Sequence, residues 1–451
     1  MLSRIASKMW GKFDSKDEVK KFAMLGIIFG LVIGTYWAFR PIKDSIFAAM
    51  VGIDYQPWAK WLSLSIIVPL VIIYGKLIDT FPRHKVFYAI TTLYGVIALI
   101  FAYFFMDPVY GLTNTVESPT RILGWLWYVY VESFGSLIVA LFWAFTADIT
   151  KPEAAKRGFP LIALFGQTGN IVGPLLLTAD KLGFATSAPI VAIAGVFMML
   201  MAVLMWVFMH VVPASELVGF ESADQKEHES EPGFFEGLKL LISQSYLMGI
   251  FLVISIYEVI ITILDFQLKA MVKAAYPAEK DMATVLANYA VWVGIVATIC
   301  VLLGINNIQR YLGMTWSLIS LPILIAVAVV SLWASPTLSV VFWIMVLSKA
   351  VNYALNQPTL KQLYIPTSKD AKYKSQAWME MFGSRGSKAA GSAVNMFRGT
   401  LIGRHGKILG LGMFLNMSTG VSLLMIVVWL FIALFVARKY TRAIETNKII
   451  C

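Results

Sequence analysis

Residues 189–212 read PIVAIAGVFMMLMAVLMWVFMHVV and contain no Asp, Glu, Lys or Arg. A helix of about 20 apolar residues is long enough to cross the ~30 Å hydrocarbon core of a bilayer. Eleven other stretches of similar length and apolar character lie along the chain, so the sequence predicts an all-α membrane protein with twelve transmembrane helices. We place these spans at 22–40, 58–77, 86–106, 122–148, 158–178, 189–212, 241–266, 283–305, 314–334, 338–357, 376–397 and 408–437.

The composition excludes the soluble class and most chemistry that depends on cofactors. Of 451 residues, 59% are hydrophobic and only 14% are charged, which is outside the range of a soluble globular chain. The two cysteines, Cys300 and Cys451, give no disulfide framework, and the four histidines are not spaced as metal ligands. We therefore expect no metal site, no cofactor and no catalytic residue.

The net charge of +11 is explained by membrane topology rather than by binding of nucleic acid. If the N-terminus is cytoplasmic, the inside segments carry most of the Lys and Arg, as the positive-inside rule requires. These residues include Lys76, Arg83, Lys85, Lys151, Lys156, Arg157, Lys369, Lys372 and Lys374. No small-residue cleavage site follows the first span, and residues 1–21 lack the length and the Ser and Arg bias of an organelle transit peptide, so we expect a multi-pass protein of a bacterial inner membrane. Both termini are expected in the cytoplasm.

The longest polar stretch divides the chain into two halves of six spans each. We predict a basic cytoplasmic N-terminal segment and a first bundle, then an acidic linker, a second bundle and a basic cytoplasmic tail. Their respective ranges are 1–21, 22–212, 213–240, 241–437 and 438–451.

A short repeat indicates that the two halves are related. Phe165-Gly166-Gln167-Thr168-Gly169-Asn170 recurs 217 positions later as Phe382-Gly383-Ser384-Arg385-Gly386-Ser387. The same offset sets Glu132 of span four against Lys349 of span ten. Two parallel six-helix halves resemble the major-facilitator architecture, in which substrate sites lie near the bilayer midplane. We therefore expect two pseudo-symmetric six-helix bundles.

The loop between spans two and three agrees with that architecture. Residues 75–85 read GKLIDTFPRHK and resemble the G-x-L-x-D-x-x-x-R-x-K loop of major-facilitator proteins. Asp79 and Arg83 of this loop could form a breakable charge-assisted contact at the helix ends, so we regard both as gating candidates.

Charged residues within the spans are the strongest indication of function, because each costs ~2.5–3.5 kcal/mol or more at a helix centre unless it is paired or hydrated. Glu132 and Glu258 fall inside spans four and seven. Lys349, Arg385 and Lys388 fall in the middles of spans ten and eleven. The remaining candidates lie at the ends of spans one and seven: Arg40, Lys43, Asp265 and Lys269.

An excess of cations in a hydrated cavity suits a polyanion, because Arg grips phosphate bidentately and Lys supplies a mobile charge. We therefore predict phosphate contacts by Arg40, Lys43, Lys269, Lys349, Arg385 and Lys388. Glu132, Glu258 and Asp265 are predicted to act in gating or coupling. The alternative is a static network of salt bridges that joins the two halves, although buried ion pairs are poor sources of stability.

Aromatic and amide side chains near these charges are weaker candidates for contacts to a base or ribose. An aromatic ring can stack on a base and an amide can read its edge, but aromatics also fill interfacial belts and helix contacts. The candidates are Tyr36, Tyr130, Asn170, Tyr257, Asn288, Tyr289, Asn352 and Tyr353. The segment Gly383–Lys388 lacks the spacing of a phosphate-binding loop and lies in an apolar helical stretch.

Residues 40–45 read RPIKDS, and residues 132–150 contain ESFGS followed by FWAF and DIT. These motifs resemble RPLKDS and the stretch of ELWGS, FW-x-F and N-x-IT in the ATP/ADP translocases of obligate intracellular bacteria and plastids. Residues 257–259 with 268–269 resemble VEV and LK. The family's PT and YIP recur at 358–359 and 364–366. Its GSRLGKSGGS resembles GSRGSK and the following GS within residues 383–392.

This resemblance implies a twelve-span carrier of nucleotides such as ATP and ADP, and it implies that Lys43, Glu132, Glu258 and Lys388 serve transport. The sequence departs from the family pattern at several positions. The family's Asp before PT is Gln357, its K-E after PT is Leu360-Lys361, and the basic residue before YSLF is replaced by Asn352. These departures bear on specificity for ATP and ADP.

Exchange of nucleoside triphosphate for diphosphate by alternating access is the leading hypothesis. Proton-coupled nucleotide import and carriage of NAD or another nucleotide are the alternatives within transport. Efflux of an amphiphilic drug fits a mainly apolar cavity instead. An integral-membrane enzyme is the alternative from another class, but His84, His210, His228 and His405 are scattered and lack partners in the sequence. We expect the carrier to work as a monomer in the lipid bilayer.

Overall fold

The computed structural model describes residues 13–217, 234–304, 307–368, 375–379, 383–446 and 448–450. Within these ranges the regular elements are helical. Fifteen α-helices are described: α1 Lys16–Met50, α2 Gln56–Thr80, α3 Arg83–Met106, α4 Ile122–Asp148, α5 Pro152–Leu176, α6 Ala188–Val211, α7 Phe234–Ser243, α8 Ser245–Ala275, α9 Glu279–Leu302, α10 Asn307–Ala334, α11 Leu338–Val351, α12 Gln357–Gln362, α13 Gln376–Trp378, α14 Ser384–His405 and α15 Lys407–Thr446. A π-helical segment, Asn352–Asn356, joins α11 to α12.

Eleven helical segments in the described part of the chain are long and apolar enough to cross a membrane. The twelfth predicted span, 376–397, instead corresponds to the short α13 and to α14. Helix α14 has 22 residues and could reach across the hydrocarbon core, but it is rich in basic residues. Arg385 and Lys388 both lie on α14.

Two helices extend further than the apolar pattern predicts. The span predicted at 22–40 ends before Pro41, yet α1 continues through this proline to Met50. An interior proline removes one helix hydrogen bond, but packed neighbours in a membrane protein tolerate that loss. Helix α8 likewise continues to Ala275. Lys43 and Lys269 are therefore held on helices rather than in loops.

The helices form two compact units, which we describe separately. Among the described residues, unit 1 comprises those of Met1–Ile53, Ser65–His228 and Ala275–Val291. Unit 2 comprises those of Asp54–Leu64, Glu229–Ala274 and Trp292–Cys451. The two units are defined by contacts between residues and do not test the predicted bundle ranges. The ranges 22–212 and 241–437 therefore remain a prediction. Most of the predicted linker at 213–240, and residues 1–12, lie outside the described residues.

Unit 1 is built on close approach between α1 and α5. A Cβ added at Gly169 would lie 2.2 Å from the carbonyl oxygen of Gly30, and one added at Gly173 would lie 2.1 Å from that of Gly34. Only glycine therefore allows these backbones to touch, as small residues do in many membrane helix pairs. This contact fixes the position of α1, the helix that carries Lys43.

The start of α1 is capped by its own sequence. Ser15 accepts a 2.9 Å hydrogen bond from the Glu18 amide, and Glu18 accepts a 2.6 Å bond from the Asp14 amide. Arg157 of α5 pairs with the same Glu18 carboxylate at 2.8 Å. An N-terminal carboxylate also interacts favourably with the helix dipole.

Unit 2 is organised around α15. Helices α10 and α14 both pack along it. Helix α10 contains a break at Gly313, whose φ of 79° is a conformation that glycine adopts without strain. Helix α8 is the most buried of the candidate spans, and it carries Glu258, Asp265 and Lys269.

Candidate functional site

In unit 1, Lys43 is buried within a compact group of four side chains. Its ammonium donates a short hydrogen bond to Glu132 of α4 and lies 3.6 Å from Asp44. The same nitrogen sits 4.4 Å from the ring centroid of Tyr128, in cation–π geometry. We name Lys43, Asp44, Glu132 and Tyr128 the Lys43 cluster.

The two ends of the Lys43–Glu132 pair differ in accessibility. The Lys43 side chain is 6% exposed, whereas that of Glu132 is 37% exposed. A buried ammonium needs partners to offset its desolvation, and here two carboxylates supply them. Within unit 1, the carboxylate is therefore the more accessible charge of the pair, and a phosphate that binds Lys43 must compete with Glu132.

Arg40 lies one turn before Lys43 on α1 and rests on aromatic rings. Its guanidinium carbon is 4.7 Å from the ring centroid of Trp37 and 5.9 Å from that of Tyr36. Tyr36 in turn covers Gly135 of α4, where an added Cβ would meet the tyrosine ring at 2.0 Å. These contacts order the Arg40 side chain on α1.

The other candidates of unit 1 occupy different environments. Tyr130 is 7% exposed and donates a 2.7 Å hydrogen bond to the carbonyl oxygen of Tyr94, so packing accounts for its position. Asn170 Oδ1 is buried without a hydrogen-bond partner among the described residues. Asn288 is exposed and Tyr289 is buried on α9. The role of these four side chains in binding remains a prediction.

In unit 2, Asp265 joins two of the predicted cations. Lys269 approaches it at 2.6 Å from the same helix, and Lys349 of α11 donates a 2.8 Å hydrogen bond to its other oxygen. Each of the three side chains is 11–14% exposed. We name these residues the Asp265 cluster; its two short contacts are typical of charge-assisted hydrogen bonds.

A second group in unit 2 is held much more loosely. Lys388 Nζ lies 3.7 Å from Glu258, and the Ser384 hydroxyl lies 3.4 Å from the same carboxylate. The Lys388 side chain is 51% exposed. We name these residues the Glu258 cluster. Because these contacts are long, another anion can displace Glu258 from Lys388 and Ser384 at a lower cost in free energy than it can displace Asp265 from its two lysines.

A cavity of about 300 Å³ opens beside Glu258. Its polar lining comes from Glu258, Gln357, Lys361, Tyr364 and Ser384. Gln357 and Lys361 are not among the candidates chosen from the sequence, although both are positions at which the chain departs from the translocase pattern. That departure is the signal that could have identified them.

The remaining candidates of unit 2 occupy different environments. Tyr257 is buried and its ring centroid lies 6.1 Å from that of Trp429. Asn352 is buried and accepts a 2.8 Å hydrogen bond from Asn356 within the π-helical segment, whereas Tyr353 is 42% exposed. Such π-helical insertions occur frequently at functional sites. Arg385 is half-buried.

Charge is distributed unevenly between the two units. In unit 1, Arg40 and Lys43 are matched by Asp44 and Glu132. In unit 2, the Asp265 and Glu258 clusters together hold two carboxylates and three lysines, and Lys361 and Arg385 add two further cations. An excess of cations among these side chains favours binding of a polyanion in unit 2.

Arg83, a gating candidate, pairs with a residue that the sequence analysis did not select. It donates a 2.6 Å hydrogen bond to Asp148 and a 2.9 Å bond to the carbonyl oxygen of Ala144, both at the end of α4. Both partners of the ion pair are partly exposed, so the pair contributes about 0.2–1 kcal/mol to stability. The side chain of Asp79 lies outside what the structure describes.

The full length of the chain is similar to known carriers. It is 25% identical to ADP,ATP carrier protein 1 of Rickettsia prowazekii, across 96% of this chain and 95% of that protein. It is also 25% identical to ADP,ATP carrier protein 1 of Chlamydia trachomatis, across 87% of this chain and 86% of that one.

Solved structures with the same fold are transporters. The nucleoside transporter NupG superposes with a TM-score of 0.65 at 13% identity, over 92% of this chain and all of that one. The peptide transporter POT superposes with a TM-score of 0.61 at 12% identity, over 94% and 99% of the two chains. The expected fold class, an all-α membrane protein of major-facilitator type, is confirmed.

The model of the family described as TLC ATP/ADP transporter matches residues 2–340 and 332–440. These ranges include the Lys43, Asp265 and Glu258 clusters. The protein therefore belongs to the TLC ATP/ADP transporter family and is a multi-pass membrane transporter rather than an enzyme.

Proposed function

We propose that this protein carries nucleotides across the membrane by alternating access and exchanges ATP for ADP. The observation that supports this substrate class best is the excess of cations in unit 2. Phosphates need charge-assisted hydrogen bonds from Lys and Arg, and partly exposed cations such as Lys388 can supply them. The names of the relatives from Rickettsia and Chlamydia support the choice of ATP and ADP.

In this proposal the two units have different tasks. The cations of unit 2 hold the phosphates, whereas the Lys43–Glu132 pair of unit 1 couples substrate binding to conformational change. A pair with one buried and one accessible partner suits that task, because a competing anion changes its charge balance. Such a ligand moves a conformational equilibrium only as far as it binds one state better than the other.

Uptake by proteoliposomes tests the exchange. We expect labelled ATP to enter vesicles loaded with ADP much faster than vesicles loaded with buffer, and liposomes without protein to take up none. Internal NAD, GTP and UTP, tested in turn, define the range of nucleotides. If no internal nucleotide stimulates uptake, the exchange proposal is wrong.

Proton-coupled net import is a second candidate, supported by the accessibility of the Glu132 carboxylate. In that case uptake into buffer-loaded vesicles requires an inward proton gradient and stops on addition of an uncoupler. Exchange driven by internal ADP continues in the presence of the same uncoupler. The two candidates therefore give opposite results in one experiment.

We further propose that the carrier is a monomer of a bacterial inner membrane with both termini in the cytoplasm. The chain has two cysteines, Cys300 and Cys451, so a Cys300→Ser variant leaves one label site in the C-terminal tail. An impermeant maleimide should label Cys451 in inverted vesicles and not in intact spheroplasts. Labelling from the outside would contradict the topology, and light scattering of the purified protein tests the monomer.

A further inference from the structure

The cavity beside Glu258 contains two polar side chains to which no role has been assigned. Gln357 and Lys361 lie four residues apart on α12, so they share one face of the helix. Glu258 faces the same cavity from α8 and Ser384 faces it from α14. All four side chains belong to unit 2.

The volume and the donors of this cavity suit an anionic group. About 300 Å³ is at the lower end of the range for ligand sites and holds a phosphate group with part of its hydration. Lys361 brings an ammonium, Gln357 an amide with two N–H donors, and Ser384 a hydroxyl. Tyr364 donates to the sulfur of Met379 at 3.1 Å, a weak acceptor that a phosphate oxygen can replace.

The net charge of the side chains at the cavity also favours binding of an anion. Glu258 carries one negative charge, and Lys361 and Lys388 carry one positive charge each. With the Asp, Lys and Glu of the translocase pattern at positions 357, 360 and 361, the same group would have a net charge of −1. In this chain it is +1, because Gln357 and Leu360 are neutral and Lys361 is cationic.

The loose contacts of the Glu258 cluster indicate how an anion enters. The carboxylate is 3.7 Å from Lys388 and 3.4 Å from the Ser384 hydroxyl, so neither contact is at the distance of a strong charge-assisted bond. A phosphate oxygen can therefore accept hydrogen bonds from Lys388 and Ser384 in place of Glu258, without the cost of breaking two short bonds. The Asp265 cluster, with contacts of 2.6 and 2.8 Å, does not offer this exchange.

We propose that Lys361 and Gln357, together with Lys388, form a subsite for the terminal phosphates of the transported nucleotide. The subsite distinguishes nucleoside triphosphates and diphosphates from monophosphates, because it binds the phosphate groups that AMP lacks. This inference rests on the proposed function for the identity of the nucleotide, but the anion subsite itself does not depend on it.

The test compares the affinities of ATP, ADP, AMP and inorganic triphosphate for the purified full-length protein by calorimetry. We expect Lys361→Ala to weaken ATP binding roughly 10- to 150-fold, the loss expected for one charge-assisted hydrogen bond. AMP affinity should change less than about threefold, so the preference for ATP over AMP falls. Gln357→Glu, which keeps the side-chain length and adds a carboxylate, should act in the same direction.

Lys407→Ala is the matched control, because Lys407 is an exposed cation of unit 2 at the start of α15 and away from the cavity. If wild-type protein binds ATP and both cavity variants bind it equally well, the subsite is wrong while the proposed function stands. If wild-type protein binds triphosphate through Lys361 but no nucleotide, the subsite is supported and the proposed function is wrong. Equal weakening of ATP and AMP by Lys361→Ala would also overturn the subsite.

Discussion

Lys349 of α11 donates a 2.8 Å hydrogen bond to Asp265 of α8, and this bond connects two helices that are distant in sequence. Lys269 holds the other oxygen of the same carboxylate at 2.6 Å. One buried carboxylate therefore satisfies two cations, and the cluster keeps a positive charge. Its short contacts set it apart from the looser Glu258 cluster.

Asp265→Asn should strongly destabilise the protein. The change removes the carboxylate that contacts both Lys269 and Lys349, and breaking a buried ion pair by removing one partner costs about 3–5 kcal/mol. We expect a clear fall in the apparent unfolding temperature of the purified protein. The double variant Asp265→Asn, Lys349→Met also removes one of the two lysine charges and should recover part of the loss. A single variant as stable as wild type would contradict this account.

Gly173→Ala should disturb the contact between α1 and α5. An added Cβ would lie 2.1 Å from the carbonyl oxygen of Gly34, so the two backbones must separate. Overpacking of this kind costs about 1–3 kcal/mol or more, and displacement of α1 also moves Lys43. We expect reduced thermal stability together with reduced transport.

Gly420→Ala is the control for the glycine contact. Gly420 lies in α15, and an added Cβ there would meet no atom within 4 Å. Alanine is a better helix former than glycine by about 0.5–1 kcal/mol, so this variant should be as stable as wild type or more stable. If Gly420→Ala and Gly173→Ala lower stability equally, close approach of the helices is not the cause.

Much of the fold follows from the sequence because a bilayer imposes a strict length on its apolar segments. Eleven predicted spans have counterparts among the described helices. The errors arise where a local signal competes with tertiary packing. Pro41 predicts the end of a helix, but neighbouring helices support α1 to Met50.

The candidate site is predictable in part for a similar reason. Charges inside apolar helices are costly, so Glu132, Glu258 and Lys388 are visible in the sequence. Their pairing is not visible, because it depends on how helices separated by tens of residues pack. Lys361 belongs to a short helix after the π-helical segment, where the apolar pattern has ended. Only the packed structure places it beside Glu258.

Arg121→Ala should loosen the loop between α3 and α4. The guanidinium donates to the carbonyl oxygens of Asn114, Val116, Tyr110 and Gly111 at 2.5–3.1 Å. Burial lowers the pKa of Arg121 below its usual value, and the group stays charged at neutral pH. We expect faster cleavage of residues 107–121 by an added protease.

Arg121→Lys serves as the control for charge in this loop. Lysine keeps the charge but has a single nitrogen, so it cannot bind four carbonyl groups in the planar geometry of arginine. Protease resistance should therefore remain low in this variant. Full protection by lysine would mean that charge alone orders the loop.

Lys388→Ala and Glu132→Ala should impair transport in different ways. Lys388 is half exposed in the cation-rich unit 2, so its loss removes a charge-assisted hydrogen bond to phosphate that is worth ~1.5–3 kcal/mol. Apparent affinity for ATP should fall roughly 10- to 150-fold. Glu132 instead competes with phosphate for Lys43, and Asp44 remains 3.6 Å from Lys43 after the carboxylate is lost. Glu132→Ala should therefore keep its affinity for ATP or bind it more tightly.

The loss of Glu132 should appear in the rate of exchange. A carrier that binds its substrate more tightly in one conformation is shifted towards that conformation, so its return step slows. Calorimetry of ATP binding and initial rates of ATP uptake into ADP-loaded vesicles separate the two variants. Lys388→Ala should recover its rate at high ATP, whereas Glu132→Ala should stay slow at every concentration. If Lys388→Ala binds ATP like wild type, or if Glu132→Ala loses binding as severely as transport, the division of roles between the two units is wrong.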